Sequence, residues 1–211
     1  AVAVKLNGKL TDLSAPLSQG DKVEFVTLKD KEGLEVYRHT CAHVLAQAVK
    51  TIFPTCKLAI GPVIENGIYY DFDFNTPITQ EDFEKIEAEM QKIIKANTPI
   101  ERFELPRAEA VKLMSDYKEK YKVELINDLP EGERISFYKQ GSFTDLCRGP
   151  HLPSTGKIKA FKLTSLAGAY WRGNEKNKML TRIYGVAFAK NEEIQAYLEV
   201  LQEAKTRRHT K

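Results

Sequence analysis

Residues 34–74 read LEVYRHTCAHVLAQAVKTIFPTCKLAIGPVIENGIYYDFDF, and the period of the apolar residues changes partway along. In the first half Leu45, Ala48 and Ile52 share one stripe of a helix. Pro54 stops that helix. In the second half Glu65-Asn66-Gly67 marks a tight turn. After it, Ile68, Tyr70, Phe72 and Phe74 alternate with Tyr69, Asp71 and Asp73, the period of a strand. A long helix running into a hairpin breaks the strict βαβ rhythm, so the reading predicts an α+β fold.

Outward from this stretch the chain keeps mixing elements. Val2, Val4 and Leu6 precede Asn7-Gly8, a hairpin signal, and residues 22–28 read as another strand. Residues 1–30 thus form a small β-rich piece, too short to be stable alone. Thr79 is placed to cap a helix carrying Phe83, Ile86, Met90 and Ile93. A further helix is expected over 107–118, with Ala110, Val111, Met114 and Tyr117 on its apolar side. Residues 121–126 read as a strand, and 136–151 as a short strand with a Gly-Pro turn. Strands over 159–166 and 178–188 flank a turn at 172–177. Residues 191–208 form an amphipathic helix with Ile194, Tyr197, Leu198 and Leu201 on its stripe, ending in the basic tail 205–211.

Composition narrows the function classes. A chain of 211 residues, 42% hydrophobic, can bury one core with a small satellite. With 32 basic and 29 acidic residues the formal charge is only +3. Whole-surface attraction to nucleic acid is therefore excluded as the main signal, and any such contact must be local. No run approaches the roughly 18 apolar residues of a membrane span. No secretory leader is evident, and a start on Ala1 reads as a cut from something longer or a removed Met. Three cysteines, an odd count, point to a reducing compartment, hence the cytoplasm.

Four residues fall into two pairs of equal spacing: His39/His43 and Cys147/His151. The first pair shares one helix face, nearly opposite the Leu45/Ala48/Ile52 stripe, and Ala42 and Ala46 leave room beside it. The helix therefore has a core face and a chemically different one. Gly149-Pro150 makes a helix at the second pair unfavourable, so Cys147 and His151 converge through a turn. Three imidazoles and one thiol match a tetrahedral zinc site. They match equally a metal-free site in which imidazole activates water. Spacing alone does not separate the two. A zinc hydrolase of the His-Glu-x-x-His kind is disfavoured, since His39-Thr-Cys-Ala-His43 has no Glu.

Arg38-His-Thr-Cys-Ala-His43, Ile60-Gly-Pro-Val-Ile-Glu-Asn-Gly-Ile-Tyr-Tyr-Asp-Phe72, Asp145-Leu-Cys-Arg-Gly-Pro-His151, Leu166-Ala-Gly-Ala-Tyr-Trp-Arg-Gly173 and Asn177-Lys-Met-Leu-Thr-Arg-Ile-Tyr-Gly185 occur in this order. Together they resemble the N-terminal region of bacterial-type threonyl-tRNA synthetase, end to end. The resemblance implies a partial TGS-like domain over 1–30, an editing domain over 31–189 and a linker helix over 190–211. It implies hydrolysis of the ester in mischarged seryl-tRNA(Thr). The alternative is a module that holds the tRNA acceptor end or structural zinc without turnover.

The resemblance also implies roles. His39 would orient or activate water, with Lys122 sharing the task. Cys147 would contact the seryl hydroxyl or help place water, and His43 and His151 would complete the polar wall. Tyr70 would line the pocket against the extra methyl of threonine, and Asp145 would bind the substrate's ammonium group. Tyr170, Trp171, Arg148, Arg172 and the basic tail are candidates to meet the 3′ strand. No metal is expected to be obligatory; if zinc binds, His39, His43, Cys147 and His151 are its ligands. ATP and a second zinc would belong to a catalytic domain beyond these residues. The partner is the 3′ end of tRNA(Thr), with no membrane. The fragment would be a monomer and the full-length enzyme a homodimer.

Overall fold

The computed structural model describes residues 1–209; Thr210 and Lys211, the end of the basic tail, lie outside the described residues. Its strands form three antiparallel sheets around one long helix. The elements, in order, are β1 (Ala3–Leu6), β2 (Lys9–Thr11), β3 (Val23–Val26), α1 (Lys31–Ile52), β4 (Lys57–Leu58), β5 (Val63–Ile64) and β6 (Gly67–Asp73). Then follow α2 (Phe83–Ala96), β7 (Ile100–Leu105), α3 (Arg107–Asp116), α4 (Lys120–Asn127), β8 (Ile135–Gln140) and β9 (Phe143–Leu146). The chain closes with β10 (Ala160–Tyr170), β11 (Met179–Phe188) and α5 (Asn191–His209). The first sheet has the order β2-β1-β3, the second β10-β11-β6-β4 with β5 also on β6, and the third β7-β8-β9. Helices and antiparallel sheets without parallel crossovers make the fold α+β, as the period change predicts. Among the described residues no helix is long and apolar enough to cross a membrane.

The α1 helix is the hub. The sequence suggests one core face and one separate face, but both are buried. Leu45, Ala48 and Val49 join Ile68, Tyr70 and Phe72 of β6 in the main core. At its N-terminal end Tyr37 donates its hydroxyl to the Phe188 carbonyl at 2.7 Å and accepts from the Lys159 and Ala160 N–H groups. Arg38 Nε donates to the Ala187 carbonyl. The face carrying the histidines is covered instead by β9 and the loop after it. A helix apolar or hydrogen-bonded all round belongs in the interior.

The small β1–β3 sheet does not stand apart. Val2, Ala3 and Val26 are part of the same core as α1. Gly33 lets the backbones meet: a Cβ there would overlap the Thr27 carbonyl oxygen.

Two readings need correction. Residues 121–126 form part of α4, not a strand. The short apolar alternation hides a helical arrangement. Tyr121 and Leu125, four apart, pack with Ala59, Trp171 and Leu180, while Ile126 faces Ala110 and Met114 of α3. Residues 135–146 form a hairpin, β8 and β9, turned at Gly141 with φ +61°. The two faces of this hairpin serve different neighbours. Cross-strand pairing sets Tyr138 opposite Asp145 and Phe137 opposite Leu146. Phe137 and Leu146 face the α3/α4 cluster, whereas Tyr138 and Asp145 contact residues of the α1 side.

Candidate active site

The two spaced pairs meet. His39 and His43 come from consecutive turns of α1, and Cys147 and His151 from the loop leaving β9. Cys147 Sγ lies 3.3 Å from His39 Nε2 and 3.1 Å from His151 Nε2, and accepts from the Gly149 N–H at 3.2 Å. The imidazole centroids are 4.1 Å apart for His43/His151 and 4.4 Å for His39/His151. His39 and Cys147 are half-buried and the other two are buried.

Behind this cluster lies a charged network. Asp145, 1% exposed, takes the Lys122 ammonium at 2.9 Å on Oδ1. Its Oδ2 accepts from the Tyr70 hydroxyl at 2.8 Å and lies 3.4 Å from His43 Nε2. Lys122 Nζ also donates to the Tyr70 oxygen at 2.9 Å. Helix α4 is what delivers Lys122; as an exposed strand lysine it would be out of reach. Both Asp145 oxygens are thus occupied. An incoming ammonium would have to replace that of Lys122.

Three residues of the site escape sequence reasoning. Thr40 Oγ1 lies 3.0 Å from His151 Nδ1 and accepts from the Leu152 N–H. Asp12 accepts from the His151 N–H at 2.8 Å and from the Tyr138 hydroxyl at 2.7 Å. Tyr138 lays its ring edge-on against His151. Thr40 sits inside the quoted motif, but its partner lies 111 positions away. Asp12 offered no local signal.

Of the candidates to meet the 3′ strand, Tyr170, Arg148 and Arg172 are exposed, Arg172 in ion pairs with Glu124 and Asp128. Trp171 is a correction. It is buried against Tyr121, with Arg172 over its ring, and its indole N–H donates to Glu124. A ring covered this way is core and offers no stacking face.

Burial dominates the electrostatics. It pushes His39 down to about 3 and His43 down to about 4. His43 adds to the effect at His39 and Lys122 adds to it at both, against the opposing pull of Asp145. His151 is driven well below its ordinary value by burial and by its two neighbours. Burial lifts the Cys147 thiol to about 12. Burial alone would raise Asp145, yet Lys122, His43 and the Tyr70 hydrogen bond outweigh it and hold the carboxyl below its usual value. At neutral pH the cluster therefore presents neutral imidazoles and a protonated thiol over an ionised carboxylate. Neutral imidazoles keep a lone pair free to orient and polarise a water.

A cavity of about 220 Å³ reaches Cys147. Leu125, Leu129, Ile135 and Leu146 give it apolar walls, and Arg134 and Arg148 stand among its lining residues. The loop is tightly seated: Gly149 has φ +75°, and a Cβ there would overlap the Tyr138 hydroxyl oxygen. Gly149→Ala is expected to cost about 1–3 kcal/mol through backbone strain and to displace the loop from Tyr138. Thermal unfolding together with the rate of Cys147 alkylation checks both effects.

The donor set also fits a metal ion. One ligand atom each from His39, His43, Cys147 and His151 lie within 4.8 Å of one another. Soft thiolate with imidazoles is a zinc set.

A half-buried thiol–imidazole cluster backed by an ion pair, in an α+β fold, marks a site for polar-group chemistry rather than a structural core. Residues 135–184 match the family described as the threonyl and alanyl tRNA synthetase second additional domain. That segment holds Asp145, Cys147 and His151; His39, His43, Tyr70 and Lys122 lie outside it. The whole chain is 62% identical to the threonine--tRNA ligase of Clostridium tetani, over 211 residues. It is 60% identical to those of Acetivibrio thermocellus and Clostridioides difficile. In each case it spans 33% of the relative's length. Residues 135–184 are thus similar to the second additional domain of the threonyl and alanyl tRNA synthetases, and the chain's likeness to threonine--tRNA ligases runs from end to end.

Proposed function

We propose that this chain is the editing region of a threonyl-tRNA synthetase, which hydrolyses the ester of seryl-tRNA(Thr) to serine and free tRNA(Thr). The observation that carries the reading is the asymmetry of the cluster. Its half-open atoms belong to His39 and Cys147, while His43, Asp145, Lys122 and Tyr70 form a buried, mutually bonded support. Such a second site answers a physical need. Threonine differs from serine by one methyl, and a missing methyl is worth only about 1–3 kcal/mol in a binding pocket. Selection at the charging step is therefore too weak, and serine must be removed afterwards.

In this mechanism His39 orients a water toward the ester carbonyl, and Lys122 shares the task from the far side of the network. Water adds to the carbonyl carbon, and the bond to the ribose oxygen breaks. The water's proton passes through the imidazole to the leaving ribose oxygen, which departs as the free hydroxyl. Cys147 meets the seryl hydroxyl or helps seat the water, and His151 and His43 complete the wall. Tyr70 and Asp145 lie behind the pocket: Tyr70 would bar the methyl of threonine, and the substrate's ammonium group would reach Asp145 by taking the place of the Lys122 ammonium. Arg148, with Arg134, offers cations for the phosphates of the strand. The region works on the 3′ end of tRNA(Thr) in the cytoplasm. It is a monomer in this form, and the full-length ligase, with its own ATP and zinc, is a homodimer. Residues 1–30, 31–189 and 190–211 are assigned to a TGS-like piece, the editing domain and a linker.

If a zinc ion binds, His39, His43, Cys147 and His151 would hold it and it would supply Lewis-acid polarisation of water. Ester hydrolysis as proposed routes no step through a metal, since a neutral imidazole can orient and polarise the water. A structural zinc or acceptor-end module without turnover is the second reading, supported by the same four ligand atoms.

One assay decides. Seryl-tRNA(Thr) and threonyl-tRNA(Thr) are offered separately and ester loss is followed, with and without prolonged chelation. Faster loss of the serine ester, surviving chelation, is expected. Equal, buffer-level rates for both esters would refute the editing reading, and stoichiometric zinc in protein purified without added metal, with activity lost on chelation, would refute the metal-free form.

A further inference from the structure

We propose that Asp12 is a positioning residue for the hydrolytic site, reaching it from the small β1–β3 sheet; the inference rests on the ester-hydrolysis reading. The loop from Cys147 to Leu152 is held by side chains more than by a strand ladder. The Gly149 N–H donates to Cys147 Sγ, the Leu152 N–H to Thr40 Oγ1 and the His151 N–H to Asp12 Oδ1. The first two acceptors come from the loop itself and from α1. Asp12 comes from the other end of the chain, 139 positions from His151.

Its second oxygen is used as well. Oδ2 accepts from the Tyr138 hydroxyl, and the Tyr138 ring meets the His151 imidazole with centroids 4.4 Å apart. One carboxylate thus fixes both the backbone of His151 and the aromatic ring beside its imidazole. Thr40 holds the ring at Nδ1. With those two restraints in place, Nε2 is directed at Cys147 Sγ, 3.1 Å away. Asp12 touches the loop backbone and Tyr138, not the reacting atoms, so it acts through His151. An imidazole free to swing about its backbone by an ångström loses the geometry on which such a site depends.

The test uses the full chain with three variants: Asp12→Ala, Asp12→Asn and Asp21→Ala. Asp21 is the control, since it braces the same sheet by accepting from Asn7 and Ser18. Asp12→Ala is expected to lower kcat for the seryl ester by about 10- to 100-fold with KM little changed. Asp12→Asn should restore most of the rate, because Oδ1 still accepts from His151 while the amide donates to the Tyr138 oxygen. Asp21→Ala should lower the melting temperature yet keep kcat. Two-bond proton–nitrogen spectra of the imidazoles, recorded without substrate, should show the His151 signals moved in Asp12→Ala alone.

Wild-type kcat in Asp12→Ala, or an equal loss in Asp21→Ala, would overturn the assignment. If the unaltered chain hydrolyses neither ester, the editing reading fails and the imidazole spectra decide the tether by themselves. Unmoved His151 signals would then refute it, and moved ones would support it.

Discussion

His39→Ala is expected to slow loss of the serine ester by about 10²–10⁴-fold, the range for removing a positioned acid–base group. The loss should appear in kcat rather than in KM. His39 is the half-buried imidazole of the cluster, 3.3 Å from the Cys147 sulfur, so an entering ester meets it before His43 or His151. Asp145 holds its partners Lys122, Tyr70 and His43 without His39, so removing the His39 ring should leave that network and the fold intact. Single-turnover hydrolysis of seryl-tRNA(Thr), with a melting curve on the same preparation, checks the claim. An unchanged rate in a folded variant would remove His39 from the mechanism.

The second large effect is on stability. Lys122→Met keeps an unbranched side chain, one atom shorter, but removes the cation facing Asp145 at 2.9 Å. The carboxylate is then left 1% exposed with only Tyr70 and His43. Breaking one side of a buried pair costs about 3–5 kcal/mol, because the remaining charge has lost its compensation. Adding Asp145→Asn removes that charge and keeps an acceptor for the Tyr70 hydroxyl. The double variant should therefore regain most of the lost stability while remaining inactive. Urea unfolding of the single and double variants measures this coupling. A loss below about 1 kcal/mol for Lys122→Met, the scale of an exposed ion pair, would show that the charge is not buried as described.

The histidine helix and the hairpin after it were legible because each repeats one period over many residues. Thr79, expected to cap the helix of Phe83, instead caps the short 3₁₀ turn Gln80–Asp82 that leads into it, its side chain accepting from the Glu81 N–H. The Cys147/His151 turn was legible from Gly149-Pro150. Helix α4 was not. It has eight residues, and packing on three sides leaves it no single apolar stripe. The β8–β9 hairpin was half hidden, because Tyr138, Gln140 and Asp145 are polar groups on a buried face. Lys122 was placed in the site only by resemblance; nothing in its neighbours announces a buried lysine. Asp12 was invisible for the same kind of reason. Its role exists only in a contact between the two ends of the chain, which local pattern does not encode.

The burial of most of α1 divides the site into two halves that are held differently. Its backbone amides are shielded by the β6 sheet on one side and by β9 on the other. Hydrogen exchange there must wait for the opening of the whole fold. The facing loop, pinned at single points by Cys147, Thr40 and Asp12, can release one anchor at a time. Of the two halves, the Cys147/His151 loop is therefore the one expected to exchange its amide protons first, and His39 and His43 on α1 the ones expected to exchange last.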